Sequence, residues 1–249
     1  MRLQGKVAIV TGAASGFGRG IAELFAAEGA SVVVADINRD GAVSVAEALG
    51  GKAVAVGCDV SFKDDVEAMV RTAIENFGGL DIVVNNAGTT HANQPFDQVS
   101  EVEFDRIYAV NVKSLYLTTL AAVPHMERCG GGVIINIAST AGVRPRPGLT
   151  WYNGSKGAAI TLTKSLAAEL APKKIRVNAI NPVMGETGLL SQFMGMPDTP
   201  ENRAKFLATI PLGRLSKPSD IANAALFLAD PASAFITGVA MEVDGGRCV

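Results

Sequence analysis

Residues 7–36 read VAIVTGAASGFGRGIAELFAAEGASVVVAD. Val7–Val10 is a short, continuous apolar run, which is typical of a strand buried on both faces. A glycine-rich turn, Thr11–Gly18, follows it, and the apolar spacing of the next residues predicts a helix. Ser31–Ala35 predicts a second strand, which ends at Asp36. The order of strand, glycine-rich turn, helix, strand and acid is that of a dinucleotide-binding unit.

The turn between the first strand and the helix has the spacing G-x-x-x-G-x-G, which differs from the common G-x-G-x-x-G. Its physical basis is the same. Residues without a Cβ let the backbone turn sharply and let a pyrophosphate approach the N–H groups at the start of the helix. An ordinary tight turn would need one or two glycines, whereas this one has three. We therefore expect the turn to bind a cofactor through Gly12, Ser15, Gly16, Phe17 and Gly18.

The acid at the end of the second strand favours one cofactor. The Asp36 carboxylate can accept hydrogen bonds from both adenosine ribose hydroxyls, and it would repel a 2′-phosphate. Ser15 and Ile37 supply no positive charge to offset that repulsion, although Arg39 is close in sequence. We expect Asp36 and Ile37 to contact the cofactor, and we expect NAD rather than NADP.

The alternation of strands and helices continues to the end of the chain. It predicts an α/β fold, a Rossmann-like doubly wound parallel sheet of about seven strands in three α/β/α layers. No linker or repeat interrupts it, so we predict one domain over residues 1–249. Long helices are predicted over Phe104–Met126 and Thr150–Leu170. The remaining predicted strands are Ala53–Val56, Leu80–Val84, Val133–Ile137, Ile175–Ile180 and Val239–Val243.

Composition excludes several functional classes. Of 249 residues, 48% are apolar and 18% charged, and the net charge is about −2 without a basic block, so neither nucleic acid nor a membrane is an expected partner. The two histidines and three scattered cysteines have no metal-ligand spacing, and we expect no metal. Free thiols favour a reducing, cytoplasmic location. The first strand begins near Lys6, so we expect no signal peptide.

Tyr152-Asn153-Gly154-Ser155-Lys156 carries the candidate chemistry. On a helix, residues four apart share a face, and the ammonium of Lys156 would favour the phenolate of Tyr152. Such a phenolate can take a proton from an alcohol or return it to a carbonyl. Ser139 could hydrogen-bond the same substrate oxygen. These residues predict an alcohol–ketone oxidoreductase if a hydride acceptor lies beside them.

With these motifs assembled, the whole chain resembles the short-chain dehydrogenase/reductase family. The glycine turn, Asn85-Asn86-Ala87-Gly88 and the quartet Asn111, Ser139, Tyr152 and Lys156 carry the resemblance. It implies that Tyr152 is the acid/base, that Ser139 positions the substrate oxygen, and that Lys156 lowers the tyrosine pKa and holds the nicotinamide ribose. Asn111 would support a water-linked proton relay. Implied cofactor contacts are Asp59, Val60, Asn86, Ala87, Gly88, Tyr152, Lys156, Pro182, Val183 and Thr187, although the family usually has glycine at position 183.

The substrate side is less determined by sequence. Arg144 or Arg146 could bind an anionic substrate group, or both could be solvated loop residues flanked by prolines. His91 follows the fourth strand and could also face substrate. Residues 185–215 are rich in glycine, proline and methionine, including Met194, Met196 and Pro197, which suits a substrate lid or a surface excursion.

These observations favour an NAD(H)-dependent enzyme that interconverts a secondary alcohol, such as a polyol, sugar or hydroxy acid, and a ketone. A 3-oxoacyl-thioester (acyl carrier protein) reductase is an alternative, although that role ordinarily uses NADPH, which Asp36 disfavours. A non-catalytic NAD-binding sensor is a further alternative, although all four residues of the quartet are present. Apolar faces on the two long helices and the resemblance of the C-terminal segment predict a homotetramer.

Overall fold

A seven-stranded, fully parallel sheet forms the centre of the molecule, in the order β3-β2-β1-β4-β5-β6-β7. The computed structural model describes residues 1–185, 193, 195 and 199–249. All seven predicted strands are present within two residues of their predicted ends. Their bounds are β1 Val7–Thr11, β2 Ser31–Asp36, β3 Ala53–Gly57, β4 Ile82–Asn85, β5 Gly132–Ile137, β6 Ile175–Pro182 and β7 Ala240–Val243.

Helices cover both faces of the sheet, which confirms the three-layer α/β/α prediction. Alternate residues of β1 show the division: Ala8 and Val10 face the core beneath α1, α2 and α8, whereas Val7 and Ile9 face the core beneath α3, α5 and α6. The helices are α1 Gly16–Ala27, α2 Arg39–Leu49, α3 Lys63–Phe77, α4 Glu101–Tyr108, α5 Ser114–Arg128, α6 Thr150–Leu170, α7 Pro200–Leu207 and α8 Pro218–Ala229.

The region predicted as one helix over Phe104–Met126 is divided. A π-helical turn, Ala109–Lys113, joins α4 to α5 and contains Asn111. A single extra residue in a turn leaves the apolar spacing on either side nearly helical, so the pattern does not show it. Helices α2, α7 and α8 were not predicted, and α2 buries only small side chains, namely Ala42, Val45 and Ala46.

The strand order reverses between β1 and β4, which are neighbours in the sheet. Ligands of open α/β sheets bind at such a point, outside the carboxyl ends of the strands. The residues predicted to bind cofactor follow these ends. In the part of the chain that the structure describes, no helix is both long and apolar enough to cross a bilayer, and no group of three potential metal ligands converges.

Candidate active site

A cavity of about 650 Å³ runs along the carboxyl edge of the sheet. Most of the residues predicted to bind cofactor or to act in catalysis line this cavity. Gly18 lies behind the glycine turn, and Asn111, Arg144 and His91 do not line the cavity; Thr187 lies outside the described residues. The predicted residues that line it are Gly12, Ser15, Gly16, Phe17, Asp36, Ile37, Asp59, Val60, Asn86, Ala87, Gly88, Ser139, Arg146, Tyr152, Lys156, Pro182 and Val183.

Close backbone packing explains the glycines of the turn. Gly12 has a φ of +64°, and a Cβ there would lie 2.9 Å from the Cα of Ala87. A Cβ on Gly18 would lie 2.2 Å from the carbonyl oxygen of Gly12. Gly12 therefore permits the turn, and Gly18 lets the first turn of α1 pack against it.

Asn86 and Thr11 fix this turn at the reversal of the strand order. The Nδ2 of Asn86 donates to the carbonyls of Thr11 at 2.8 Å and Gly12 at 3.1 Å. In return, the hydroxyl of Thr11 accepts the N–H groups of Asn86 and Ala87, each at 3.0 Å. The residues after β4 thereby hold the glycine turn in place.

The start of α1 suits an anionic ligand. Its N-cap residue, Ser15, makes no side-chain hydrogen bond to the helix, and the first turn contains no acid. The first N–H groups of a helix and its dipole favour an anion. The donor set at this end of the cavity therefore fits a dinucleotide pyrophosphate.

Asp36 lies at the far wall of the same end. Its two carboxylate oxygens accept the N–H groups of Ala14 at 2.9 Å and Asn38 at 2.8 Å, which orients them and leaves further acceptor capacity. The stem of Arg39 packs over Gly57, where a Cβ would lie 3.2 Å from it, and Arg39 does not line the cavity. A carboxylate without a facing arginine fits an unphosphorylated ribose better than a 2′-phosphate.

The opposite end of the cavity brings together Ser139, Tyr152 and Lys156. Ser139 begins a 3₁₀ turn, its Oγ accepts the N–H of Ala141 at 3.1 Å, and its hydroxyl hydrogen-bonds the Tyr152 phenol. The Nζ of Lys156 donates to the carbonyl of Ile137 at 2.9 Å and lies 5.8 Å from the centroid of the Tyr152 ring. The hydroxyl, the phenol and the ammonium thus come from β5 and α6 to one wall.

Burial governs the ionisation of the pair on α6. It raises the pKa of Tyr152 to about 12, although the neighbouring Ser139 hydroxyl and the Arg146 guanidinium act in the opposite direction. Burial also lowers the pKa of Lys156 to about 8. The predicted lowering of the tyrosine pKa is therefore wrong: desolvation of the phenolate dominates, and Lys156 is not among the groups that shift the pKa of Tyr152.

Asn111 is fully hydrogen-bonded behind the cavity. Its Oδ1 accepts the N–H of Thr89 at 2.8 Å, and its Nδ2 donates to the carbonyl of Thr89 at 2.9 Å and to the hydroxyl of Ser155 at 3.0 Å. The side chain ties the segment after β4 to α6. The π-helical turn places it there, since such turns reorient side chains at functional sites.

The three residues predicted on the substrate side have different positions. Arg146 lines the cavity, whereas Arg144 is exposed and donates to the backbone carbonyl of Arg247. His91 is buried, and its Nδ1 lies 2.7 Å from the carbonyl of Ala92. Sequence reasoning missed further lining residues for which no local pattern gives a signal, namely Arg106, Met184, Phe193, Phe206 and Arg247.

Val183 stands where the family that the chain resembles usually has glycine, and packing explains how it is accommodated. It is buried against Ile210 and Leu215, with Phe206 of α7 at the edge of the cluster. Its N–H points to the carbonyl of Val243 at 3.4 Å, which continues the β6–β7 pairing. The side chain thus anchors α7, within the region predicted as a lid; Met194, Met196 and Pro197 of that region lie outside the described residues.

Comparison with known proteins agrees with this geometry. Residues 12–247 match the family model described as enoyl-(acyl carrier protein) reductase. The 4-formylbenzenesulfonate dehydrogenase of Comamonas testosteroni is 55% identical over 99% of both chains. The chain belongs to the short-chain dehydrogenase/reductase family.

Two solved members of the short-chain dehydrogenase/reductase family resemble the structure closely. A 3-ketoacyl-(acyl-carrier-protein) reductase from Brucella melitensis, complexed with NADH, has a TM-score of 0.94 and 50% identity over 99% of this chain and 100% of its own. A 7α-hydroxysteroid dehydrogenase complexed with NADH and 7-oxo glycochenodeoxycholic acid has a TM-score of 0.92 and 43% identity over 98% of this chain and 95% of its own. The 7α-hydroxysteroid dehydrogenase of Escherichia coli K12 is also 43% identical to this chain. The chain is an oxidoreductase that acts on CH–OH groups.

Proposed function

We propose that this protein is an NAD(H)-dependent oxidoreductase that interconverts a secondary alcohol and a ketone, with Tyr152 as the acid/base. The observation that carries the proposal is the set of residues that line one cavity. A helix N-terminus with unused donors and the Asp36 carboxylate lie at one end, and Ser139 and Tyr152 lie at the other. A cofactor and a substrate oxygen can therefore be held side by side.

When bound, the oxidised cofactor would accept a hydride from the alcohol, and the reduced cofactor would donate one to the ketone. In alcohol oxidation, Tyr152 takes the hydroxyl proton as the carbon–hydrogen bond breaks, and in ketone reduction it returns that proton. Ser139 donates a hydrogen bond to the substrate oxygen when that oxygen lies at Tyr152, and so polarises it. The remaining donors of the Lys156 ammonium hold a ribose hydroxyl. Asn111 positions the segment that carries Lys156 and supports a proton relay behind it.

NAD is the preferred cofactor in this proposal. The two structural relatives contain NADH, and Asp36 faces the end of the cavity where the adenosine ribose would lie. The other cofactor contacts follow from the same cavity and the resemblance, with Thr187 proposed from sequence alone. The positions concerned are Gly12, Ser15, Gly16, Phe17, Gly18, Ile37, Asp59, Val60, Asn86, Ala87, Gly88, Pro182 and Val183.

Absorbance at the NADH band tests the function. The protein is assayed with polyols, sugars, hydroxy acids and aryl alcohols and with NAD or NADP. Aryl alcohols are included because the Comamonas relative is named for an aromatic substrate, 4-formylbenzenesulfonate. Turnover with NAD that a Tyr152→Phe variant loses by a factor of at least about 100 supports the proposal. Binding of NADH without turnover of any alcohol or ketone would instead favour a sensor.

Reduction of a 3-oxoacyl thioester is the second candidate. It is favoured by the 50% identity to a protein described as a 3-ketoacyl-(acyl-carrier-protein) reductase, whose structure contains NADH. Acetoacetyl thioesters of an acyl carrier protein and of a short pantetheine, assayed with NADH, separate the two candidates. Faster turnover of the carrier-bound thioester than of any free ketone would replace the first proposal with this one.

The assembly proposed is a homotetramer of single-domain, cytoplasmic subunits, with residues 185–215 as a substrate lid. Exposed apolar side chains along the helices support pairing between subunits: Tyr116 is 60% and Leu120 55% exposed on α5. The free thiol of Cys129 supports a reducing compartment. Light scattering at micromolar concentration that gives the mass of one subunit would contradict the tetramer.

A further inference from the structure

Two arginines, Arg146 and Arg247, line the cavity, and Arg146 is close to the Tyr152 phenol. Both arginines are half-buried. Arg247 lies close enough to lower the pKa of Arg146, and Arg146 is close enough to act on the Tyr152 phenol. A second guanidinium next to a half-buried first one is unfavourable unless an anion compensates both.

Among the described residues, no carboxylate forms an ion pair with either guanidinium. Burial first and the Arg247 guanidinium second lower the pKa of Arg146, and the only opposing influence on it is the Tyr152 phenol. The described acids that line the cavity, Asp36 and Asp59, follow β2 and β3 at its other end.

Arg146 has donors to spare. Within the described part of the chain, its guanidinium makes a single hydrogen bond, a long one of 3.4 Å to the carbonyl of Phe193. Its Cζ lies over the ring of Phe206, 5.4 Å from the centroid. The Phe206 ring and the Phe193 carbonyl hold the guanidinium in place, while most of its five N–H groups remain available for a fork-like contact with an oxyanion.

Arg247 is carried on a braced turn rather than on a loose terminus. The carboxylate of Asp244 accepts the N–H groups of Gly246 at 2.9 Å and Cys248 at 2.8 Å. Arg144 donates to the carbonyl of Arg247 from outside the cavity. These contacts fix the backbone on both sides of Arg247, so its side chain is positioned toward the cavity before any ligand arrives.

The wall between the arginines and Tyr152 is apolar and aromatic. The Phe193 ring meets the Tyr152 ring edge-on, with centroids 5.1 Å apart. Phe206, Met184 and Ile210 line the same region. Edge contacts and rings of this kind favour a flat, apolar substrate body. A polyol or sugar would leave its hydroxyls unpaired against this wall.

We propose that Arg146 and Arg247 bind a carboxylate or sulfonate at the far end of an apolar, ring-bearing alcohol or ketone whose reacting oxygen lies at Tyr152. This inference rests on the proposed function and narrows its substrate class. Arg144 is a positioning residue for Arg247.

A matched pair of compounds tests the proposal. 4-(1-Hydroxyethyl)benzoate and 4-(1-hydroxyethyl)benzamide have nearly the same shape and differ in charge. Oxidation of both by NAD is measured in the wild type, in Arg146→Met, in Arg247→Met and in the double variant. Arg71→Met is the control, since Arg71 is exposed on α3, away from the cavity, and its loss changes the net charge equally.

The readout is the ratio of kcat/KM for the benzoate to that for the benzamide, so that a general loss of folding or activity cancels. We expect each single variant to lower this ratio about 10- to 100-fold, chiefly through KM, because each removes charge-assisted hydrogen bonds. Arg71→Met should leave it unchanged, and Arg247→Lys should recover part of it. Calorimetric titration with 4-acetylbenzoate, in the presence of NADH, is done on the Tyr152→Phe protein with and without each arginine replacement. The arginine replacements should weaken binding in the same order in which they lower the ratio.

Several results would overturn the inference. They are a wild-type ratio near one, a ratio unchanged in the double variant, and a rise in the KM for NAD instead of that for the benzoate, which would assign the arginines to the cofactor. Turnover of neutral polyols or sugars, with none of either aryl compound, would also overturn it and leave the proposed function intact. Failure of every alcohol, ketone and thioester would instead reject the proposed function.

Discussion

Gly142 packs directly against Gly157, so that the 3₁₀ turn carrying Ser139 rests on the backbone of α6. A Cβ on Gly142 would lie 2.8 Å from the backbone nitrogen of Gly157. The neighbours are backbone atoms, which cannot rotate away as a side chain could. This contact therefore fixes the distance between the Ser139 hydroxyl on one element and the Tyr152 phenol on the other.

A methyl group at position 142 should separate these two elements. We expect Gly142→Ala to destabilise the protein by about 1–3 kcal/mol, the range for overpacking, and to lower kcat more than KM because Ser139 moves away from the substrate oxygen. Urea denaturation and steady-state kinetics measure the two effects. Gly51→Ala is the control, because nothing lies within 4 Å of a Cβ there; equal stability of the two variants would contradict the packing argument.

The Asp36 carboxylate should set the choice between NAD and NADP. In Asp36→Asn, the charge is lost and one backbone N–H of the pair from Ala14 and Asn38 loses its acceptor. We expect kcat/KM for NAD to fall about 10- to 100-fold, and that for NADP to stay level or rise as repulsion of the 2′-phosphate disappears. Asp40→Asn, in the exposed first turn of α2, is the control. An unchanged NAD:NADP ratio would show that Asp36 does not face the ribose.

Sequence predicted the parts of this molecule that depend on local spacing. Continuous apolar runs predicted all seven strands. The properties of glycine and of a helix N-terminus predicted the glycine turn at the start of α1. The spacing of Tyr152 and Lys156 predicted one helical face. Parts set by contacts between distant segments were not predicted. The π-helical turn at Asn111 is hidden in a nearly helical pattern, and Arg247 reaches the cavity only because the C-terminal turn folds back.

The pKa values of the α6 pair could not be predicted either, since they depend on how completely each group is desolvated. Spacing alone suggested an ammonium that lowers the pKa of the phenol. Burial instead raises the pKa of Tyr152 to about 12 and lowers that of Lys156 to about 8. At neutral pH the Lys156 ammonium is therefore costly to the folded protein, whereas Tyr152 is neutral in both the folded and the unfolded chain.

Replacement of Lys156 should stabilise the protein while abolishing activity. Its pKa in the folded protein is about 8, below its usual 10.5, so the folded state disfavours the ammonium and the full penalty applies below pH 8. Between pH 8 and 10.5 the folded state releases its proton first, and wild-type stability gains. We expect Lys156→Met to be more stable at pH 7 by on the order of 1–3 kcal/mol, partly offset by the lost bond to Ile137, and by less at pH 9.5.

Urea denaturation at the two pH values measures this difference. Lys164→Met provides the comparison, since Lys164 is exposed on the same helix and its replacement should change stability by less than about 0.5 kcal/mol at either pH. A gain for Lys156→Met that does not depend on pH, or a net loss at pH 7, would show that the ammonium is not penalised by burial.

Replacement of Arg146 should shift the pH dependence of alcohol oxidation, separately from any effect on an anionic substrate. Burial raises the pKa of Tyr152, and the Ser139 hydroxyl and the Arg146 guanidinium oppose it. Loss of the guanidinium in Arg146→Met leaves the phenolate less stabilised, so the tyrosine pKa rises further. Oxidation requires the phenolate, and we therefore expect the rising limb of kcat to move to higher pH.

The neutral 4-(1-hydroxyethyl)benzamide isolates this effect, because it carries no charge for an arginine to bind. Its kcat is followed from pH 6 to 10 in the wild type, Arg146→Met and Arg247→Met. Arg247 acts on Arg146 but is not among the groups that shift the pKa of Tyr152, so Arg247→Met should retain the wild-type profile. A common shift in both variants would point to a general change in the field of the cavity, and an unshifted Arg146→Met profile would remove Arg146 from the ionisation of the tyrosine.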